Sequence, residues 1–131
     1  MLNKLKSILK WGPEELNEVK TPQRVDVAFL LTLNNIEVGT LSLHNGQWAF
    51  KYSDTFKNQS SLMPIMNFPN KDKEYFSLQL WPFFVSRIPG PGQPIVKDFL
   101  LKEGIEKADE VTLLKKFGKR TISNPYVLES A

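Results

Sequence analysis

Between Arg24 and Tyr52, apolar and polar residues alternate with a period of two. Val25, Val27, Phe29, Leu31 and Leu33 fall on one face of a predicted strand, and Asp26, Ala28, Leu30 and Thr32 fall on the other, because successive side chains of a pleated strand point to opposite sides. Asn34-Asn35 tolerates positive φ and predicts a tight hairpin into a second strand over Ile36 to Leu43. Asn45-Gly46, the preferred pair for a two-residue primed turn, hands the chain to a third strand over Gln47 to Tyr52. Trp48, Phe50 and Tyr52 share one of its faces, so three antiparallel strands are expected.

The pattern then loosens. Ser53 to Ser61 is rich in Ser, Asp, Asn and Lys and reads as a surface connection. Leu62 to Phe68 is apolar but carries Pro64 and is closed by Pro69, which predicts an edge strand or an extended packing segment. After a turn at Asn70 to Lys73, alternation resumes over Tyr75 to Leu80. A dense aromatic group follows, Trp81, Phe83 and Phe84, with at least one of the two phenylalanines expected in the core.

From Pro94 the period changes to 3.6. Ile95, Val96, Phe99 and Leu100 form an apolar stripe, Pro94 suits the first turn of a helix, and Gly104 suits its end. A second helix is expected from an Asp109 cap to Gly118, with Val111, Leu114 and Phe117 inward and Lys115 and Lys116 at the end where the helix dipole favours cations. Arg120 to Leu128 predicts one more short strand, broken at Asn124-Pro125. Leu2, Leu5, Ile8 and Leu9 at helical spacing predict a short basic helix before Gly12-Pro13.

These elements add up to an α+β fold, a small antiparallel sheet, open or barrel-like, packed with two to four short helices. Residues 1–23 are expected to form a helical arm and residues 24–131 a single domain. With 131 residues, 41% of them hydrophobic, the chain can bury a core of its own. It has no cysteine, which excludes disulfides and thiolate metal sites. Apolar runs are short and Lys4, Lys6 and Lys10 interrupt the N-terminal one, so neither a spanning helix nor a signal peptide is expected, and a cytoplasmic protein is. A net charge of +3 is too mild to imply nucleic acid.

Chemistry-bearing constellations are scarce. His44 is the only histidine and reads as a solvated turn residue beside a hairpin. Gly90-x-Gly92 lacks the third glycine and the following Lys-Ser/Thr of a phosphate loop. Lys115, Lys116, Lys119 and Arg120 form a basic cluster with no aromatics interleaved on an exposed sheet. No catalytic residue, cofactor or metal site is expected.

The order of the pieces resembles the N-terminal subdomain of HipA-type serine/threonine kinases, the toxins of bacterial toxin-antitoxin systems. The matching residues are Val38-Gly39-Thr40-Leu41, Asn45-Gly46, Phe50-Lys51-Tyr52, Pro82-Phe83-Phe84, Ile88-Pro89, Pro94-Ile95-Val96-Lys97-Asp98 and Leu113-Leu114 through Gly118. The resemblance covers about Val25 to Leu128 and lies in their order and spacing. The loop after Ile88-Pro89 is longer and richer in proline and glycine than is usual there, and Ser123-Asn124-Pro125 stands where Gly-Ala is usual.

The resemblance implies that the kinase body would begin where this chain ends, and no His-Arg-Asp, Asp-Phe-Gly or phosphate-loop pattern is present. A subdomain on its own is similar to the HipS family of three-gene HipBST systems, whose kinase, HipT, is a separate chain. The implied function is a non-enzymatic antitoxin that binds and neutralises a HipT-like kinase. The alternatives are a scaffold joining the kinase to a HipB-like DNA-binding protein and, third, a basic nucleic-acid-binding module. A kinase-blocking protein needs a rigid projecting element, and Pro89-Gly90-Pro91-Gly92-Gln93-Pro94 supplies one, with Trp81 as the nearby anchor.

Overall fold

The structure, a computed structural model, describes residues 19–131. The helix expected over residues 2–11 therefore lies outside the described residues, as does the arm as far as residue 18. Five antiparallel strands form one sheet: β1 (Val27–Leu33), β2 (Ile36–His44), β3 (Gln47–Tyr52), β4 (Tyr75–Ser77) and β5 (Val127–Ser130). Their spatial order is β4-β3-β2-β1-β5. β4 and β5 are thus the two edges, and the sheet is open rather than barrel-like.

The first three strands form a meander because both hairpin turns suit their residues. Asn34 and Asn35 have φ of 52° and 65°, and Asn45 and Gly46 have 50° and 74°, the left-handed pairs of a primed turn whose twist matches that of the strands. The meander is kinked once. Leu31 pairs with Gly39 but Thr32 with Glu37, so Val38 is an extra residue in β2. Gly39 is obligatory beside this bulge, since a Cβ there would lie 2.5 Å from the Lys51 carbonyl oxygen. The freed carbonyls are satisfied from outside the sheet: Ser53 donates its N–H to Val38 O (2.8 Å) and its hydroxyl to Glu37 O (2.6 Å).

Ser53 also caps a helix that alternation could not show, α1 (Asp54–Lys57), by accepting from the Phe56 N–H. The stretch expected as a surface connection therefore holds a helical turn that buries Phe56 completely. Other corrections are local. β1 begins at Val27 rather than Arg24, and Val25 is exposed. Leu62 to Phe68 is the packing segment and not a strand. β4 covers only the first half of the expected Tyr75–Leu80 strand. Pro82–Val85 forms a further one-turn helix, α2.

One face of the sheet carries the core: Phe29, Leu31 and Leu33 of β1, Val38, Leu41 and Leu43 of β2, and Trp48, Phe50 and Tyr52 of β3 are all buried. The 62–68 segment and α2 lie against it. The Phe68 ring stacks on Phe50 at 4.3 Å, and Phe84 approaches Phe50 at 5.8 Å. Tyr52 fixes this strap by donating to Phe68 O (2.6 Å) and accepting from the Ile65 N–H (2.9 Å). Burial of its hydroxyl pushes its pKa up to about 12.

The remaining helices are α3 (Pro94–Glu103) and α4 (Glu110–Phe117). Both run between the residues expected to bound them. Gly104 ends α3 at φ 68°, and the Asp109 carboxylate caps α4 by accepting from the Thr112 N–H at 2.8 Å. α4 buries Val111, Leu113 and Leu114. α3 is fully buried at Val96 alone, and Ile95, expected on its inner stripe, is 59% exposed.

Candidate partner-binding site

The loop Pro89–Pro94 grows out of a run of tight turns. Trp81 O accepts from the N–H groups of Phe84 (2.9 Å) and Val85 (3.0 Å), and then Arg87 N–H reaches Phe84 O and Ile88 N–H reaches Val85 O. These bonds carry the backbone rigidly to Pro89. Across the loop, the Gln93 N–H donates to Gly90 O (3.0 Å), and Gln93 O then accepts from Val96 and Lys97 to open α3. Gly92 is exposed, has no positive φ, and a Cβ built on it would meet nothing within 4 Å. The chain's own packing therefore does not require glycine there.

The loop is one wall of an open cleft of about 370 Å³. Pro89, Gly90 and Pro91 form that wall with Ile88 and Val85, and Val19, Thr21, Gln79, Leu80 and Glu110 form the rest. Residues distant in sequence meet at Glu110. Its Oε1 accepts from the Thr21 hydroxyl and from Trp48 Nε1 (3.3 Å), and its N–H donates to Lys20 O (3.0 Å). Lys20 also bridges to Asp109 in the parallel sense. Glu110 lies in the first turn of α4, where exposed N–H groups favour a carboxylate. Sequence reasoning did not single out this residue, because its partners are 89 and 62 positions away.

Beneath the loop a buried arginine locks the base. Arg87 is 3% exposed. Its Nη1 donates to the carbonyls of Gly118 (2.9 Å) and Lys119 (3.1 Å), and its Nη2 to Tyr126 O (2.6 Å) and Asn124 Oδ1 (3.1 Å). Burial lowers its pKa to about 10, and the four oxygen acceptors favour the charged form, so it carries its charge at neutral pH. The clamp joins the residue just before the loop to the end of α4 and to the segment leading into β5.

Of the residues expected at the site, Pro89, Gly90 and Pro91 line the cleft, and Gly92, Gln93 and Pro94 form the exposed far side. Trp81 is half-buried and packs edge-on against Phe68 at 4.9 Å, so its ring belongs partly to the core and is not among the cleft-lining residues. His44 pairs at the surface with Asp26 (2.9 Å). The basic cluster is broken up, with Lys119 Nζ on Glu129 (3.1 Å) and Lys116 over the Phe99 ring. Among the described residues no group of three or more His, Asp or Glu is placed to hold a metal, and no helix is long and apolar enough to cross a membrane.

Residues 30–123 match the HipA N-terminal domain family. The chain belongs to that family. The match begins within β1, spans the rest of the meander, the strap, the loop and α4, and stops before β5. The family is named for the N-terminal domain of HipA and not for its kinase domain, so the chain has a HipA-related role in which the matched residues are not the phosphotransfer body. No curated protein matches the sequence.

Proposed function

We propose that this HipA N-terminal domain protein is a non-enzymatic antitoxin of the cytoplasm that binds a HipT-like serine/threonine kinase and holds it inactive, with Pro89–Pro94 entering or covering the kinase cleft. The observation that carries this reading is the form of the loop. It is fixed at its base by the Arg87 clamp, closed on itself by the Gly90–Gln93 bond, and open to solvent at Gly92. A preformed projection loses little conformational entropy on binding, which is what a tight blocker needs. Trp81, half-buried against Phe68, is proposed as an aromatic anchor of the same interface.

The test replaces Gly90–Gln93 by a shorter neutral turn, confirms the fold by circular dichroism, and measures binding to a HipT-like kinase and rescue of growth from it. Both are expected to be lost. Binding that persists without rescue would favour a scaffold that joins the kinase to a HipB-like protein, and unchanged rescue would move the interface away from the loop.

A further inference from the structure

The cleft behind the loop has a chemistry of its own. Its walls are alkyl and pyrrolidine surface from Leu80, Val85, Ile88 and Pro89, and Val85 is 44% exposed at its rim. Its charged feature is the Glu110 carboxylate, which Thr21 and Trp48 both hold through Oε1, and Thr21 and Gln79 are its neutral polar residues. Trp48 is completely buried, so this oxygen is pinned by a rigid donor, and the second oxygen has no hydrogen-bond partner among the described residues. No lysine, arginine or histidine of the described residues pairs with Glu110.

We propose that this cleft is a socket for a lysine or arginine side chain of the kinase partner, its stem lying along the alkyl walls and its head on Glu110. The inference rests on the reading that the adjoining loop meets the kinase. Charge complementarity selects the occupant. A fixed carboxylate in a partly desolvated recess disfavours an anion, and a single carboxylate is too few for a metal ion. A long cationic side chain matches both features at once, since its carbons bury against apolar surface while its head keeps a polar partner. The carboxylate is already oriented before the partner arrives, so the pair forms with little ordering cost.

The full chain is titrated with a HipT-like kinase in a calorimeter, as wild type, as Glu110→Gln and as the loop replacement. Glu110→Gln keeps an acceptor for Thr21 and Trp48 and is expected to weaken binding about 10- to 100-fold, the low end for close interfacial charge pairs, as fits a carboxylate that is only partly buried. In a scan of kinase lysines and arginines to methionine, one substitution should cost nothing further in the Glu110→Gln background. Val85→Arg, at the exposed rim, is expected to block the socket without touching its hydrogen bonds, so it keeps the test valid should Glu110→Gln disturb the fold. Glu110→Gln or Val85→Arg binding within twofold of wild type, or no coupled kinase cation, overturns the socket. If the loop replacement abolishes binding in that case, the reading of the loop survives alone. Loss of the Glu110 effect in a Lys4, Lys6 and Lys10 to Gln variant would mean that the chain's own N-terminal cations fill the cleft, and this too would overturn the socket.

Discussion

Two helices that begin with proline flank the loop, and they are held in different ways. α2, before it, is one turn long, yet it buries Phe84 completely among Phe50, Phe68 and Phe83 and is followed at once by the four-bonded Arg87. α3, after it, is ten residues long but fully buries Val96 alone, and its named aromatic contact is Phe99 edge-on to Phe117 at 5.6 Å. Leu101 and Ile95 face solvent, and its Asp98–Lys102 pair is exposed at both ends. The loop is thus fixed at its entry and lightly attached at its exit. Helix length says nothing about which side is the anchor. Burial and satisfied polar groups decide it.

The largest test of that contrast is a pair of truncations. Phe84→Ala removes a wholly buried ring and is expected to lower stability by about 3–5 kcal/mol, because transfer and cavity terms add. Val96→Ala removes two methyl groups, about 1.5 kcal/mol at ~0.8 kcal/mol each. Urea denaturation of both variants measures the difference. Equal losses would show that α3 is as much a part of the core as α2.

Next in size is Arg87→Met. It strands the carbonyls of Gly118 and Tyr126 without their donor, while Lys119 O keeps the Leu128 N–H and Asn124 Oδ1 keeps the Tyr126 N–H. Unpaired buried acceptors cost about 1–3 kcal/mol each, partly offset by no longer burying a charge, so a net loss of roughly 2–3 kcal/mol is expected. Amide exchange should rise in residues 118–127 and at the loop base but not in α3. Protection that falls only in α3 would show that the clamp serves the exit side.

The uneven legibility of the two sides has a physical cause. β3, both hairpins, the Asp109 cap and the Pro94 start were readable because each is set by neighbouring residues: alternation over six positions, a turn pair, a capping carboxylate. α1 and α2 span four residues each, too few for a 3.6-residue period to repeat. The Val38 bulge was hidden because it shifts the inward set from even to odd positions within β2. Arg87 and Glu110 were unreadable for a stronger reason. Their partners are backbone atoms or side chains 31 to 90 residues away, so their roles exist only in the folded chain. The loop itself stood out by composition, but which of its ends is anchored did not.

The smallest effect concerns Tyr52, whose two hydrogen bonds hold the strap on which Phe84 and Trp81 lean. Burial raises the pKa of its hydroxyl from 10.0 to about 12, so between those values the unfolded chain gives up this proton and the folded chain keeps it. The folded state then binds more protons, and stability from this group is complete below pH 10 and falls as pH rises toward 12. The slope is at most about 1.4 kcal/mol per pH unit. Arg87 works against it over the same range, because a folded-state pKa lowered to about 10 makes the unfolded chain the better proton binder. The Tyr52 contribution is therefore read as a difference. Tyr52→Phe should be less stable than wild type at pH 8, through loss of the bonds to Phe68 and Ile65, and the gap should narrow steadily between pH 10 and 12. A gap that stays constant across that range would mean that the hydroxyl is solvated in the folded chain, and the strap under α2 would then be held by ring packing alone.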